Sequence, residues 1–227
     1  MSTEEEQRIV IFGTSVYSHY LYYTIKAERR YNIVAFSLTK DNISDSTDTF
    51  CNLPIYPLEN LKDCIDGQFK VLICVGYKNM NKGRECIYKM CKELNYEIFT
   101  YISTRAICDT EIGEGCIVMP TAYIPADTHV GICNVFNPSS NISHTGALGN
   151  FNWIASDVSM AGNVTMGDFC FVGVSSVINN SIKIGSEVFI GANSHLTEDA
   201  IDGMAYIGSP AKTKKGYKSQ LLVKLAL

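Results

Sequence analysis

Ile142-Ser-His-Thr-Gly-Ala-Leu148-Gly-Asn-Phe-Asn-Trp-Ile154-Ala-Ser-Asp-Val-Ser-Met160-Ala-Gly-Asn-Val-Thr-Met166 carries an apolar residue at every sixth place. Followed outward, the period runs from Ile112 to Leu196, fifteen positions without a miss. With about half the residues apolar, chance gives such a register on the order of once in 10^5. Gly113, Gly131, Gly149, Gly167, Gly185 and Gly203 add a spacing of eighteen, three times six. Six fits neither a helix at 3.6 nor a lone strand at 2. A fixed period of this kind means stacked units, none of which buries its apolar face alone.

The residue after each apolar position is small in most repeats, and the residue two before it is often small or branched. A short strand with one side chain aimed inward, followed by a corner, satisfies this pattern. Three such edges close a triangular coil of eighteen residues, and coils stack at the β spacing of roughly 4.8 Å. The small residues are read as fitting the corner beside the apolar position. Between Ile112 and Asp202 there is room for about five coils. Asp202 breaks the apolar register, so the prism is expected to end there.

The first hundred residues read differently. Arg8–Phe12 is a short apolar run ending at Gly13, followed by a segment with helical spacing to Arg29. Ile33–Leu38, Val71–Val75 and Ile98–Ile102 are further strand candidates, and Asn81–Leu94 is a helix candidate. Leu53–Pro57 is extended because each proline pushes its predecessor out of the helical region. Strands alternating with helices imply a parallel sheet. The expected organisation is a Rossmann-like α/β domain (1–103), a β-helix (104–203) and a tail (204–227) with a helix from Tyr217 to Ala226.

In such a domain the first strand-to-helix turn is the place for a phosphate or ribose. Here it is Gly13-Thr-Ser-Val-Tyr-Ser, without the glycines of G-x-G-x-x-G, and the second strand ends in Leu38-Thr39 without an acidic residue. A dinucleotide site is not expected. Ser15 is placed to cap the helix.

The net charge of -4 offers no basic excess for nucleic acid or an anionic membrane. Met1–Gln7 carries three glutamates and no apolar run, so it does not read as a signal peptide. No apolar run is long enough to span a bilayer. The nine cysteines form no C-x-x-C pair and no zinc spacing. Reduced, buried thiols in the cytoplasm are expected, and no metal.

Of the four histidines, His144 stands out. It lies two residues past Ile142, on the outside of a corner. Gly162, eighteen residues on, stacks directly above or below it. A glycine there leaves its N–H accessible, giving a base beside an oxyanion donor. His129 and His195 read as corner or interface residues, and His19 follows the Gly13 turn.

The repeat has the form [LIV]-[GAED]-x2-[STAV]-x and resembles the left-handed β-helix, or hexapeptide-repeat, acyltransferases. Gly208-Ser-Pro-Ala-Lys212 resembles the segment that follows the prism in that superfamily. With a Rossmann-like domain in front, the whole chain resembles bacterial nucleotide-sugar N-acetyltransferases of the bacillosamine, perosamine or viosamine type. The resemblance implies acetyl-CoA as co-substrate, a homotrimer with the site shared between chains, and a place in surface-glycan synthesis. It implies His144 as general base, Gly162 as contact of the acetyl group and Asn137 in the acceptor pocket. It also implies Val174 and Lys183 as CoA-lining positions, and Gly13, Ser15, Val16, Tyr17 and Gly76 at the nucleotide. Trp153, on the edge between the two corners, flanks the pantetheine or a subunit contact. Lys212, with Lys214 and Lys215, meets the CoA phosphates or solvent. The family often has an acidic residue after the histidine, whereas this chain has Thr145. Sugar O-acetylation and a non-catalytic binding or scaffold prism are the competing readings.

Overall fold

The computed structural model describes residues 7–43, 49–210 and 212–220. The chain divides into two compact units, one of 1–76 and 86–99, the other of 77–85 and 100–227.

The first unit is built on β1 (Arg8–Phe12), β2 (Asn32–Leu38), β3 (Thr49–Phe50), β4 (Leu53–Pro57), β5 (Lys70–Ile73) and β6 (Glu97–Ile98), with helices α1 (Val16–Glu28), α2 (Leu61–Cys64) and the part of α3 (Lys82–Glu93) from residue 86 on. The sheet order is β3-β4-β2-β1-β5-β6. All pairings are parallel except β3 with β4. Fully buried runs such as Ile9, Val10 and Ile11 on β1 and Val71, Leu72 and Ile73 on β5 are what a parallel sheet covered on both faces requires. The strand order reverses between β1 and β5, which makes the gap at their carboxyl ends the topological switch point.

The second unit is a prism of short strands. One parallel column is formed by Ile107–Cys108, Tyr123–Ile124, Asn141–Ile142, Ser159–Met160, Val177–Ile178 and His195–Leu196. A second is formed by His129–Val130, Ala147–Leu148, Thr165–Met166 and Lys183–Ile184, extended by bridges at Ile112 and Ala200. The third runs from Tyr101–Ile102 to Met204–Ile207 and ends in the antiparallel Lys212–Lys218. The sixfold apolar residues, among them Ile142, Leu148, Ile154, Met160 and Met166, fill one interior core.

The coils outnumber the expected five, because both ends contain coils shortened by two residues. Tyr101 pairs with Ile117 and Ile107 with Tyr123, each sixteen residues on. At the other end Ile184 bridges Ala200, and Phe189 pairs with Ala205. Asp202 therefore does not end the prism. It marks a two-residue deletion, after which Tyr206 resumes the buried position. The expected strand Ile98–Ile102 is likewise divided: Glu97–Ile98 joins β5, and Tyr101–Ile102 is the first rung of the prism.

The corners also differ from expectation. From Cys133 to Asn193 every sixth residue has φ between 52° and 62°. This residue, three past the apolar position, makes the turn, although it is never glycine. At all of these corners but Ser139, whose amide donates to Thr121 Oγ1 at 3.0 Å, and Thr145, the amide donates to the carbonyl one residue earlier in the preceding coil, as from Asn163 to His144 and from Ser181 to Gly162, both at 2.9 Å. These bonds offset the steric cost of the left-handed conformation, about 1–2 kcal/mol per residue. The glycines are small for another reason. A Cβ at Gly131 would meet Gly149 O at 2.6 Å, and one at Gly149 would meet Gly167 O at 2.8 Å. Beside this column Asn150 accepts from Ile132 N at 2.9 Å, Asp168 from Asn150 N at 2.6 Å and Asp202 from Ser186 N at 2.7 Å. A side-chain-to-backbone ladder thus stitches successive coils where only glycine leaves room.

The segment Tyr77–Glu85 belongs with the prism and not with the first unit, and Arg84 shows why. Its side chain is fully buried. Nε donates to Cys133 O at 2.9 Å, and a terminal nitrogen donates to Phe151 O and Asn152 O at 3.0 and 3.2 Å. Asn81 Nδ2 adds a bond to Cys170 O at 3.0 Å, and Lys82 pairs with Glu187 at 3.1 Å. Of the expected terminal helix, Tyr217 and Lys218 lie in the last strand, Ser219 and Gln220 are helical, and the remainder lies outside the described residues.

Candidate active site

His144 follows Asn141–Ile142, and Gly162 follows Ser159–Met160, one rung on in the same column. The stacking is close: a Cβ at Gly162 would fall 2.5 Å from His144 Nε2. Ala161 N donates to Ile178 O and Asn163 N to His144 O, both at 2.9 Å. The two amides flanking Gly162 are therefore used between coils. Among the described residues the Gly162 N–H between them has no acceptor. The imidazole is exposed, and Nδ1 lies 3.1 Å from Thr145 Oγ1. That hydroxyl donates in turn to Asp127 Oδ2 at 3.3 Å. A ring nitrogen beside a residue whose amide is unpaired can hold a proton near a developing oxyanion.

No protein-family model and no curated protein matches the sequence. Solved structures do. The perosamine N-acetyltransferase PerB of Caulobacter crescentus, in complex with CoA and GDP-perosamine, superposes with a TM-score of 0.80 at 22% identity, covering 91% of this chain and 96% of its own. The acetyltransferase domain of PglB from Neisseria gonorrhoeae, in complex with acetyl coenzyme A, gives 0.80 at 21% identity, covering 92% and 100%. WeeI from Acinetobacter baumannii gives 0.81 at 18% identity over the same shares. The chain has the fold of perosamine N-acetyltransferase.

Within this fold the expected site residues fall into separate groups. Asn137 is buried, and its Nδ2 donates to Ile154 O at 2.9 Å, so its amide nitrogen serves the coil stack. No hydrogen bond joins it to His144 among the described residues. Trp153 is packed. It is 6% exposed. Its ring packs edge-on to Tyr77 at 5.1 Å and lies 5.8 Å from the Arg84 guanidinium. The Tyr77–Glu85 segment thus packs against its ring. Val174 is exposed at a corner, and Lys183 is exposed on the outer face next to Thr165. Lys212 is exposed at the start of the last strand.

The nucleotide candidates belong to the first unit, and the sheet gathers them at one end. Gly13 follows β1 at φ 116° with its N–H on Ser37 O at 2.8 Å, and a Cβ there would meet Cys74 O at 2.6 Å. Ser15 caps α1 in a reciprocal capping box with Ser18. Val16 is 89% exposed and Tyr17 half-buried. Gly76 follows β5, with open space where its side chain would be. These residues flank the switch point between β1 and β5. His19 packs against Tyr23 and Phe50 instead. A cavity of about 610 Å³ lined by Arg8, Asn32, Gly67 and Lys70 opens at the amino ends of the strands, away from this group.

The other histidines separate as well. His129 is exposed on an outer face, and His195 Nε2 lies 2.7 Å from Asn179 Oδ1. Among the described residues no cluster of His, Cys, Asp and Glu has the geometry to hold a metal, and no helix is long and apolar enough to cross a membrane. Burial pushes the thiols of Cys91, Cys116 and Cys170 up to about 12. At neutral pH they are neutral packing groups.

Asp127 is the residue that reading single positions misses. Its signal was present in the sequence: Asp127 precedes Thr145 by the same eighteen residues that separate His144 from Gly162.

Proposed function

We propose that the chain is an acetyl-CoA-dependent N-acetyltransferase acting on a nucleotide-linked amino sugar. The observation that carries this reading is the His144 imidazole seated over the Gly162 amide. Support comes from a fold shared over nine-tenths of the chain with one protein solved with CoA and GDP-perosamine and another solved with acetyl coenzyme A. In this reading the coils wind left-handed, as the hexapeptide pattern implies.

The reaction is a direct transfer. His144 takes a proton from the sugar amine as its nitrogen attacks the thioester carbonyl. The C–N bond forms, and the carbonyl oxygen becomes an oxyanion facing the Gly162 N–H. Collapse breaks the C–S bond, and the CoA thiolate leaves with the electron pair and receives the proton. Holding acceptor and thioester together supplies much of the rate.

The acceptor's nucleotide lies at the Gly13 turn, with Ser15, Val16, Tyr17 and Gly76 around it. Val174, Lys183 and Lys212 line the CoA path, and Asn137 acts from the packed wall of the acceptor pocket. The assembly is a cytoplasmic homotrimer serving surface-glycan synthesis. Its contact face includes Ile107, Tyr123 and Val177, which are exposed in one column of the prism. Calorimetry with CoA tests the co-substrate assignment first, since a scaffold prism gives no heat. Thiol release in the presence of matched amino and hydroxy sugars then separates N- from O-transfer.

A further inference from the structure

We infer that Asp127 and Thr145 fix the tautomer of His144, with the proton on Nδ1, so that Nε2 is the nitrogen available as base. This rests on the reading of His144 as the base, and it names the residues that make the ring competent for that role.

The argument follows hydrogen-bond directions. An ionised carboxylate only accepts, so the Thr145 hydroxyl spends its proton on Asp127 Oδ2 at 3.3 Å. The hydroxyl oxygen itself, Thr145 Oγ1, lies 3.1 Å from His144 Nδ1. With its hydrogen engaged, Oγ1 can only accept there, and Nδ1 must donate. A neutral imidazole carries one N–H, so Nε2 is bare. Nε2 is also the nitrogen placed over Gly162, where the amine and thioester would meet.

Regularity is lost in φ at the Asp127 corner and, at Thr145, in the hydrogen bonding alone. Thr145 is β-branched and holds φ 59°, a conformation such residues avoid. Among the described residues its amide lacks the coil-to-coil bond that the equivalent Asn163 and Ser181 make. Asp127 occupies the same corner position one coil earlier. It is the residue skipped by the positive-φ series between Thr121 and Cys133. Its corner holds Pro125 and is closed by Thr128 N on Pro125 O at 3.2 Å. The irregular corner and the side-chain bond occur together, between consecutive coils. An acidic partner thus reaches the histidine from one coil away, through a hydroxyl.

The ring tautomer can be read without any substrate. Long-range proton–nitrogen spectra of the 15N-labelled chain at about pH 8, where an ordinary imidazole is neutral, should show His144 protonated on Nδ1. In Asp127→Ala and Thr145→Val the signal should move toward the Nε2–H form, while Thr145→Ser restores the wild-type pattern. In thiol-release assays the first two variants should lose about tenfold in kcat, the scale of one hydrogen bond to a charged group, with KM little changed. A wild-type His144 protonated on Nε2, or spectra unchanged in both Asp127→Ala and Thr145→Val, would overturn the inference. Spectra as expected without turnover on any amino sugar would leave the tautomer assignment standing and sink the transferase reading.

Discussion

A side chain on Gly162 and the imidazole of His144 cannot share their present positions: a Cβ would lie 2.5 Å from Nε2 and 2.9 Å from Nδ1. Gly162→Ala should therefore push the exposed ring aside while leaving the coil intact. Thiol release should fall at least about 100-fold, the scale of general-base catalysis. Stability to urea should change by less than ~1 kcal/mol, because the obstructed atoms belong to a movable surface side chain. Equal losses of activity and stability would mean that the glycine is needed for packing alone.

Arg84 makes the opposite kind of prediction. Replacing it with methionine leaves the Cys133, Phe151 and Asn152 carbonyls without this buried donor. Urea unfolding should register a loss of about 2–4 kcal/mol. A variant as stable as the wild type would show that the Tyr77–Glu85 segment does not depend on this clamp.

Gly76 separates ligand from fold. No described residue occupies the space its Cβ would take, so Gly76→Ala should alter stability by no more than about 0.5 kcal/mol. If the nucleotide lies at the β1–β5 switch point, the methyl group intrudes on it. KM for the nucleotide sugar should rise while KM for acetyl-CoA stays unchanged. An unchanged sugar KM would move the nucleotide elsewhere.

The buried thiols predict an alkaline limit. Burial raises Cys91, Cys116 and Cys170 from 9.0 to about 12. Between those values the unfolded chain has lost thiol protons that the folded chain retains, so folding stability falls as pH rises. The contribution is intact below about pH 9 and is lost progressively toward pH 12. Urea midpoints taken at pH 8 and 10.5 should decline, and Cys→Ala replacements at these three sites should flatten the decline. A midpoint independent of pH would contradict their burial.

The prism was legible because its period is local: an apolar residue every six places reports the inward position directly. Converting that period into vertical neighbours also brought His144 over Gly162. The exceptions to the period have no such local signal. Coils of sixteen residues at both ends shift the register, so Asp202 looked like a terminus and Ile98–Ile102 like one strand. Trp153 could not be recognised as covered, because Tyr77 and Arg84 lie seventy-six and sixty-nine residues away in sequence. The switch point needed the strand order, which no local pattern encodes. Thr145 carries no acidic group itself, and the carboxylate comes to its hydroxyl from Asp127, one coil earlier.

The central claim is that His144 over Gly162 is an acetyl-transfer site. Its most direct test is thiol release from acetyl-CoA in the presence of dTDP-, UDP- and GDP-linked amino sugars, wild type against His144→Ala. The account predicts that at least one amino sugar stimulates release and that His144→Ala lowers the stimulated rate by about 10^2–10^4-fold. No stimulation by any of these sugars, or a full rate in His144→Ala, would contradict it.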